Sequence, residues 1–303
     1  MSSFKQIKHL SPKERLDFLE SFDLVFCDCD GVVWYPLQDF IPGSGKALAN
    51  LERFGKKVTF VTNNSIISVK DHIEKFTKQG QLLVHEDQIV HPAQTICDHL
   101  KSINFTGIIY CLATNSFRKV LTDAGFQLTE EQGTDMIKSL KDLNDAVYGG
   151  DPVQAVVIDV DFNLSAAKLM RAHIQLQNPK CLFLAGAADA FIPFGKGEVI
   201  GPGVFIDVLS QAVGRQPITL GKPGKELRNV LLKRYPDIPA SRILFVGDSL
   251  TSDIAFARAS GYQTLLVLTG GTKLKDVEFL PPGHPQMPDY LTDCLHDLTD
   301  IQK

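Results

Sequence analysis

The feature that most constrains the fold is an alternation of short apolar runs with longer segments that have helical spacing. The runs are rich in β-branched and aromatic residues, and eight of them recur along the 303-residue chain. Such an alternation is typical of βαβ units, which build a mostly parallel sheet covered by helices. The runs cover residues 24–27, 58–61, 107–112, 155–160, 181–185, 218–220, 243–246 and 264–268. We therefore predict an α/β fold.

Four of these runs end in polar residues that suit one chemistry. They continue into Asp28-Cys29-Asp30-Gly31, Thr62-Asn63-Asn64, Gly221-Lys222-Pro223 and the segment 247–253. In an open parallel sheet, ligands bind outside the carboxyl ends of the strands. We therefore expect the four polar ends to meet on one sheet that is built from both ends of the sequence. The middle runs, residues 107–185, carry no such set and are expected to fold as a separate insertion.

The charge balance argues against two classes of partner. The formal net charge is -4, whereas nucleic acids and anionic membranes attract a clustered excess of Lys and Arg. The N-terminal segment has no apolar signal core, and no uncharged apolar stretch of about 18 residues occurs. The six cysteines are scattered without the spacing of a zinc site, so we interpret them as reduced thiols. These observations predict a cytoplasmic protein.

Carboxylates gather at two of the polar strand ends. Asp28 and Asp30 lie two residues apart, and Gly31 after them permits a sharp turn, while Asp248 and Asp253 follow another run. Four like charges in one site repel and raise one another's pKa unless a divalent cation neutralises them or one carboxylate stays protonated. Because hard oxygen ligands in this number suit Mg2+, we predict a magnesium site.

Hydrogen-bond donors and one cation follow the other two polar strand ends. Thr62, the backbone of Asn63 and Asn64, and the ammonium of Lys222 are these groups. A phosphate monoester is negatively charged, so a site for it needs such groups facing the phosphoryl oxygens. Each motif is weak alone, since polar residues are favoured in turns anyway, but the set in this order indicates phosphate binding.

Four motifs of the chain resemble those of the haloacid dehalogenase superfamily, namely Asp28/Asp30, Thr62, Lys222 and Asp248/Asp253. The closer resemblance is to the branch that contains p-nitrophenyl phosphatases, phosphoglycolate phosphatases and pyridoxal phosphate phosphatases. It rests on the runs FCDCDGVVW, FVTNNS, PGVFIDVLSQAVGRQPITLGKP and FVGDSLTSDI. The resemblance implies a phosphatase for small phosphate monoesters. It also implies a Rossmann-like core with a parallel sheet and an inserted α/β cap domain of the C2 type.

The resemblance further implies covalent catalysis with one acid/base group. Asp28 would attack phosphorus, and Asp30 would protonate the leaving oxygen and later deprotonate the water that cleaves the aspartyl-phosphate. The family pattern makes Mg2+ ligands of the Asp28 carboxylate, the Asp30 backbone carbonyl and Asp248. Asp253 would support the metal shell and orient Lys222.

The family pattern also assigns the substrate contacts. Thr62 and Lys222 would bind the phosphoryl oxygens together with Asn63 and Asn64, and Asp189 would lie in the substrate loop of the cap. The small-molecule phosphate ester is then the expected partner, and p-nitrophenyl phosphate, phosphoglycolate and pyridoxal phosphate are all open as substrates.

Three positions in the cap depart from the family pattern. Relatives usually carry a Thr-Asn pair before the cap aspartate, whereas this chain has Ala187 and Ala188 before Asp189. Asp159 stands where the family usually has glycine. Because two alanines offer a leaving group only backbone hydrogen bonds and a little apolar surface, we expect broad specificity and weak preference for phosphoglycolate.

The predicted domain boundaries follow from the motifs and the resemblance. Residues 1–99 and 206–303 form the discontinuous hydrolase core, and residues 100–205 form the cap that carries the specificity loop. Homodimers formed through the cap occur in this branch, so a dimer of that kind is a further expectation.

Other interpretations stay open. One is a catalytically silent relative that binds a metabolite or a protein, and another is a phosphotransferase that passes the phosphoryl group from Asp28 to an organic hydroxyl. A dinucleotide-dependent dehydrogenase would need a glycine fingerprint that this chain lacks, and residues 42–46 are instead a turn before a helix. Trp34 fits either the wall of the site or the core.

Overall fold

The computed structural model describes residues 4–130, 136–194, 197–299 and 301. Its internal contacts divide the chain into two compact units. The first unit comprises Met1–Thr62, Val69–Val90 and Leu231–Lys303, and the second comprises Asn63–Ser68 and His91–Val230. Each unit contains a parallel sheet, so the predicted α/β fold class is confirmed.

Strands and helices alternate along most of the chain. The strands are β1 (Lys5–Gln6), β2 (Leu24–Cys27), β3 (Lys57–Val61), β4 (Ile89–Val90), β5 (Ile108–Leu112), β6 (Gln127–Leu128), β7 (Ala155–Ile158), β8 (Leu182–Ala185), β9 (Phe191–Phe194), β10 (Gly197–Ile200), β11 (Ile218–Thr219), β12 (Ile243–Gly247), β13 (Gln263–Val267) and β14 (Tyr290–Thr292). The α-helices are α1 (Pro12–Glu20), α2 (Ser44–Arg53), α3 (Val69–Gly80), α4 (Pro92–Ser102), α5 (Asn115–Asp123), α6 (Leu140–Tyr148), α7 (Ala166–Leu176), α8 (Pro202–Val213), α9 (Lys225–Arg234), α10 (Ala255–Ser260) and α11 (Leu274–Glu278).

The sheet of the first unit has seven parallel strands in the order β1-β14-β13-β12-β2-β3-β4. From β2 the chain winds to β3 and β4 on one side, whereas β12, β13 and β14 lie on the other side. The winding direction therefore reverses between β2 and β12. In open α/β sheets this switch point, outside the carboxyl ends of the strands, is where ligands bind.

The central strand β2 is apolar at every position because both faces of the sheet are covered. Its residues, Leu24–Cys27, are all buried, as expected for a parallel strand between helices. On one face, Phe76 of α3 packs its ring 4.1 Å from the ring of Phe60 and 5.0 Å from that of Trp34. Each fully buried aromatic side chain of this kind contributes roughly 1.5–3 kcal/mol through loss of water contact.

The sheet of the second unit has five parallel strands in the order β11-β8-β7-β5-β6. The chain winds from β5 to β6 on one side and then continues with β7 and β8 on the other, so the switch point lies between β5 and β7. An antiparallel hairpin, β9 with β10, follows β8.

One sequence prediction about the sheets is wrong. The run before Lys222 was expected to join the sheet built from both ends of the chain, but β11 pairs with β8 in the second unit, where Thr219 lies opposite Ala185. With two residues in the strand, the run has too little local pattern to specify a partner. The partner is set by long-range pairing instead.

The compact units differ in extent from the predicted domains. The predicted cap, residues 100–205, lies within the second unit, which also takes in the start of α4, most of α8 and β11. The predicted core segments 1–99 and 206–303 are correspondingly shorter in the structure. Within the described part of the chain, no helix combines the length and apolar character needed to span a bilayer.

Candidate active site

Three strand ends of the first unit are aligned by their pairing register. Cys27 of β2 lies opposite Phe60 of β3 on one side and Val246 of β12 on the other. The polar residues after these strands therefore leave the same edge of the sheet at nearly the same level. The structure thus brings Asp28, Thr62 and Asp248 to the carboxyl edge of one sheet, as predicted from the sequence.

A tight turn after β2 fixes Asp28. Its backbone N–H continues the ladder by donating to Val246 O at 2.9 Å, and the carboxylate Oδ1 accepts the N–H of Cys29 at 2.8 Å. Gly31 has φ +79°, a conformation that side chains rarely adopt, and its N–H donates to Trp34 O at 2.7 Å. The Asp28 side chain is 8% exposed. The turn thus holds a buried carboxylate in one orientation.

Trp34 holds the second aspartate of this turn. Its indole Nε1 donates to Asp30 Oδ1 at 3.0 Å, and the ring is otherwise buried in the core. The ammonium of Lys75 lies 4.4 Å from the centre of the indole ring. Burial lowers the pKa of Lys75, and the negative charge of Asp30 acts in the opposite direction. Trp34 is therefore a core residue, which is one of the two interpretations from the sequence, and its indole N–H binds Asp30.

The end of β12 fixes two further carboxylates. A π-helical turn, Leu250–Ile254, follows the strand, and Asp253 within it is fully buried. Its Oδ2 accepts the backbone N–H groups of Asp248 and Ser249, each at 3.0 Å. Such π-helical turns are frequent at functional sites. Asp253 thereby fixes the main chain that carries Asp248.

The loop after β13 closes tightly on Asp248. Gly271 N–H donates to Asp248 Oδ2 at 2.6 Å, and a Cβ at Gly270 would lie 1.8 Å from the same oxygen. Only glycine at position 270 leaves room for the carboxylate. This contact was missed in the sequence analysis, although a Gly-Gly pair just beyond a strand end was an available signal.

The carboxylates of the first unit form a compact group. One oxygen each from Asp28, Asp248 and Asp253 lies within 4.8 Å of the others. Three ionised carboxylates this close repel strongly unless a cation lies among them, and hard oxygen donors are the ligands that Mg2+ and Ca2+ take. The donor set therefore fits a divalent cation. The Asp30 side chain is not part of this group and accepts from Trp34 Nε1.

Thr62 ends the next strand of the same sheet. Its N–H donates to Val90 O at 3.0 Å, so the ladder between β3 and β4 continues up to this residue. The side chain is 2% exposed. Thr62 thus occupies the expected strand end, and the chain passes from there into the segment 63–68 of the second unit.

In the second unit, Asn63 links two of the predicted site residues. Its Oδ1 accepts Lys222 N–H at 2.9 Å, and its Nδ2 donates to Lys222 O at 3.0 Å and to Asp189 Oδ2 at 2.7 Å. The Lys222 side chain is 1% exposed. Asn64 forms a turn, in which its Oδ1 accepts Ile66 N–H at 3.2 Å. The Asn63 side chain therefore organises the chain around Lys222 and Asp189, whereas that of Asn64 shapes the turn to Ile66.

A carboxylate that received no site role from the sequence lies beside this group. Asp159 follows β7, is 3% exposed, and accepts the Ser65 hydroxyl at 2.5 Å and Ala187 N–H at 2.8 Å. Burial raises the pKa of Asp159 to about 6, and these hydrogen bonds oppose the rise. The charge of Asp189 acts in the same direction as burial.

The two alanines of the cap loop differ from their expected role. Ala187 is 2% exposed and Ala188 packs against the apolar cluster below the loop. The N–H of Ala187 already donates to Asp159. The expectation that both residues offer backbone hydrogen bonds and apolar surface to a leaving group is therefore wrong for Ala187.

Known proteins match the chain over nearly its whole length. The profile of haloacid dehalogenase-like hydrolases matches residues 25–127, and a HAD-hydrolase-like profile matches residues 219–298. Phosphoglycolate phosphatase 2 of Arabidopsis thaliana is 31% identical over 97% of this chain and 98% of its own length. The 4-nitrophenylphosphatase of Schizosaccharomyces pombe is 31% identical over 96% of this chain and 97% of its own length.

A solved structure agrees with these relatives. The 4-nitrophenylphosphatase from Thermotoga maritima matches with a TM-score of 0.78 and 26% identity, over 94% of this chain and 99% of that one. With its parallel sheet and carboxylate group, this chain belongs to the haloacid dehalogenase-like hydrolases. Within them it lies in the branch of phosphatases, which are phosphoric monoester hydrolases, so the predicted family and enzyme class are confirmed.

Proposed function

We propose that this protein hydrolyses small phosphate monoesters through an aspartyl-phosphate on Asp28, with Mg2+ as the cofactor. The observation that carries the proposal is the group of Asp28, Asp248 and Asp253 at the switch point of the first sheet. A nucleophile held by the turn after β2, next to a cation site, is what phosphoryl transfer to a carboxylate requires.

Asp28 and Asp30 divide the chemistry between them. An oxygen of Asp28 bonds to phosphorus while the ester oxygen leaves and takes a proton from Asp30. Asp30, now ionised, removes a proton from water, and the water oxygen attacks phosphorus, which releases inorganic phosphate and restores Asp28. The hydrogen bond from Trp34 Nε1 supports this role, because it fixes the orientation of the Asp30 carboxyl.

The proposed metal ligands are the carboxylates of Asp28 and Asp248 and the backbone carbonyl of Asp30. When bound, the ion supplies positive charge that offsets the repulsion between these carboxylates and an anionic substrate. Asp253 supports the site through its two bonds to the main chain at Asp248 and Ser249.

For the phosphoryl group we propose Thr62, the backbone of Asn63 and Asn64, and the ammonium of Lys222. Burial of the Lys222 side chain favours this role, because a buried cation interacts with an anion more strongly than an exposed one. The side chain of Asn63 has a different task, since it holds the main chain of Lys222 and the carboxylate of Asp189. Asp189 would border the leaving group.

The substrate class follows from the relatives and from the loop before Asp189. The names of the relatives specify phosphoglycolate and 4-nitrophenyl phosphate as their substrates. We propose that these esters and pyridoxal phosphate-like compounds are substrates of this chain. Ala188, the partly exposed alanine before Asp189, has no polar side chain that would reject one of them.

The test is a nucleophile variant with a matched control. Asp28→Asn should lower kcat for p-nitrophenyl phosphate by roughly 10^3-fold or more, because the amide keeps the shape but does not attack phosphorus. Asp237→Asn, an exposed carboxylate of the same unit, should behave as wild type. Rapid quenching with labelled substrate should show transient phosphate on the wild type and none on Asp28→Asn. Turnover by Asp28→Asn at the wild-type rate would refute the covalent mechanism, and phosphate release that needs an organic acceptor would favour a phosphotransferase.

A further inference from the structure

Asp159 lies at the place in the second sheet where a ligand-related role is expected. It is the first residue after β7, on the carboxyl side of the switch point between β5 and β7. Strand β8 pairs with β7 so that Ala185 lies opposite Ile158. The loop Gly186–Asp189, which follows β8, therefore starts directly beside Asp159.

The Asp159 carboxylate connects two segments that are distant in sequence. Oδ1 accepts the Ser65 hydroxyl at 2.5 Å and the N–H of Val160 at 2.7 Å. Oδ2 accepts the N–H of Ala187 at 2.8 Å. One side chain thus joins the segment 63–68 to the loop Gly186–Asp189, and both of its oxygens are used.

A second connection joins the same two segments. Asn63, two residues before Ser65, donates to Asp189 at the other end of the loop. Asn63 also binds both the N–H and the carbonyl of Lys222. Movement of the loop relative to the segment 63–68 would therefore disturb Asp189 and the main chain of Lys222 together.

We propose that Asp159 is a positioning residue for the phosphatase reaction, which fixes the loop Gly186–Asp189 to the segment 63–68 and so aligns Asp189 and Lys222 for substrate binding. The inference rests on the proposed function, in which these two residues contact the ester. It predicts that the hydrogen bonds of Asp159 govern KM more than kcat, because the reacting carboxyls belong to the first unit.

The two oxygens of the carboxylate explain why asparagine does not replace it. An amide at position 159 keeps one acceptor for Ser65 and Val160, but it then turns an NH2 group toward the N–H of Ala187. Two donors face each other, and that connection is lost. Asp159→Asn thus breaks the bond to Ala187 at nearly constant volume, whereas Ser65→Ala breaks the bond to Ser65 and leaves Asp159 in place. Either change interrupts the same connection, which runs from Ser65 through Asp159 to Ala187.

The experiment measures steady-state kinetics with Mg2+ for p-nitrophenyl phosphate and phosphoglycolate on four variants. They are Asp159→Asn, Ser65→Ala, the double variant and the control Asp151→Asn, an exposed carboxylate of the same unit. We expect Asp159→Asn to raise KM about tenfold and Ser65→Ala about threefold, with kcat nearly unchanged. The double variant should resemble Asp159→Asn because both act through one connection. Asp151→Asn should match wild type.

Hydrogen exchange of the peptide that contains residues 186–189 provides a readout independent of activity. Exchange should be faster in Asp159→Asn and unchanged in Asp151→Asn. A folded Asp159→Asn protein with wild-type KM, or with wild-type exchange in this peptide, would overturn the inference. Additive effects of the two substitutions would do the same. If the wild type has no phosphatase activity, the proposed function fails, and the positioning role for that reaction falls with it even where exchange confirms the connection.

Discussion

In the first unit, Asp28, Asp248 and Asp253 lie within 4.8 Å of one another, and main-chain N–H groups bind each of the three side chains. In the second unit, the hydroxyl of Ser65 and the amide of Asn63 bind Asp159 and Asp189. Both sets lie at the carboxyl ends of parallel strands. Main-chain N–H groups orient the first set, whereas the second set also depends on the side chains of Ser65 and Asn63, which a point mutation removes.

This difference predicts which contacts of the site a single substitution can remove. Backbone N–H groups are present whatever the side chain, so the donors that orient the carboxylates of the first unit persist as long as the fold does. The connections through Ser65 and Asn63 in the second unit change with one substitution. We expect the common chemistry to depend on the first unit and the choice of substrate on the second.

We expect the largest effect when the divalent cation is removed from the carboxylates of the first unit. Removal of divalent cations with EDTA should reduce phosphatase activity to background, because the repulsion within the group is then uncompensated. Excess Mg2+ should restore it. A second measurement needs no activity, since Mg2+ should raise the melting temperature of wild type but not that of Asp248→Asn. Full turnover of p-nitrophenyl phosphate in EDTA would contradict the metal assignment.

The next effect concerns proton transfer by Asp30. Asp30→Asn should lower kcat by about 10^2 to 10^4-fold, since the amide neither donates nor accepts the proton. Trp34→Phe, which removes the indole N–H that binds Asp30 together with part of the buried ring, should lower kcat about tenfold. Phe40→Leu serves as the matched control, because the Phe40 ring packs on Trp34 and has no polar atom that could bind Asp30. Equal losses in Trp34→Phe and Phe40→Leu would show that packing alone matters.

We expect an effect of intermediate size in the pH dependence of the free energy of unfolding, and it arises from Asp159 in the second unit. Burial raises the pKa of Asp159 from 3.8 to about 6, so between these values the folded protein binds a proton that the unfolded chain releases. The contribution of this proton binding to the free energy of unfolding is thus complete below pH 4 and is lost as the pH rises through 6. It amounts to about 3 kcal/mol.

The measurement is the unfolding free energy of wild type minus that of Asp159→Asn, from pH 4.5 to 7.5. The subtraction cancels the contributions of the other carboxylates to the pH dependence. Several of them have lowered pKa values, so their contributions to stability increase as the pH rises. The difference should fall as the pH rises. A difference that stays constant across this range would mean that Asp159 is ionised throughout.

The smallest expected effect is the preference among esters. The values of kcat/KM for p-nitrophenyl phosphate, pyridoxal phosphate and phosphoglycolate should agree within about a hundredfold, because Ala188 provides no polar side chain for discrimination. Phosphoglycolate should be the weakest of the three. A stronger preference for phosphoglycolate would show that other residues of the second unit determine the choice.

The local pattern of the sequence predicted most of the strands and the carboxylates. All eight runs became strands, with ends that differ by at most two residues, since buried parallel strands are apolar along their whole length. The carboxylates were found because polar residues at strand ends stand out against such runs. The pairing of β11, the contact of Gly271 with Asp248 and that of Ser65 with Asp159 were not predicted. Each joins residues far apart in sequence, and no local pattern encodes them.

The order of pairing in the first sheet has a consequence for synthesis on the ribosome. Strand β2 pairs with β12, in which Leu24 lies opposite Ile243, so its partner emerges more than two hundred residues later. The strands β5 to β8 and β11 of the other sheet all emerge before β12. The second sheet is therefore complete while one edge of β2 still lacks its neighbour. Nascent chains that stall before residue 243 would expose that edge, and such edges are where chains aggregate or recruit chaperones.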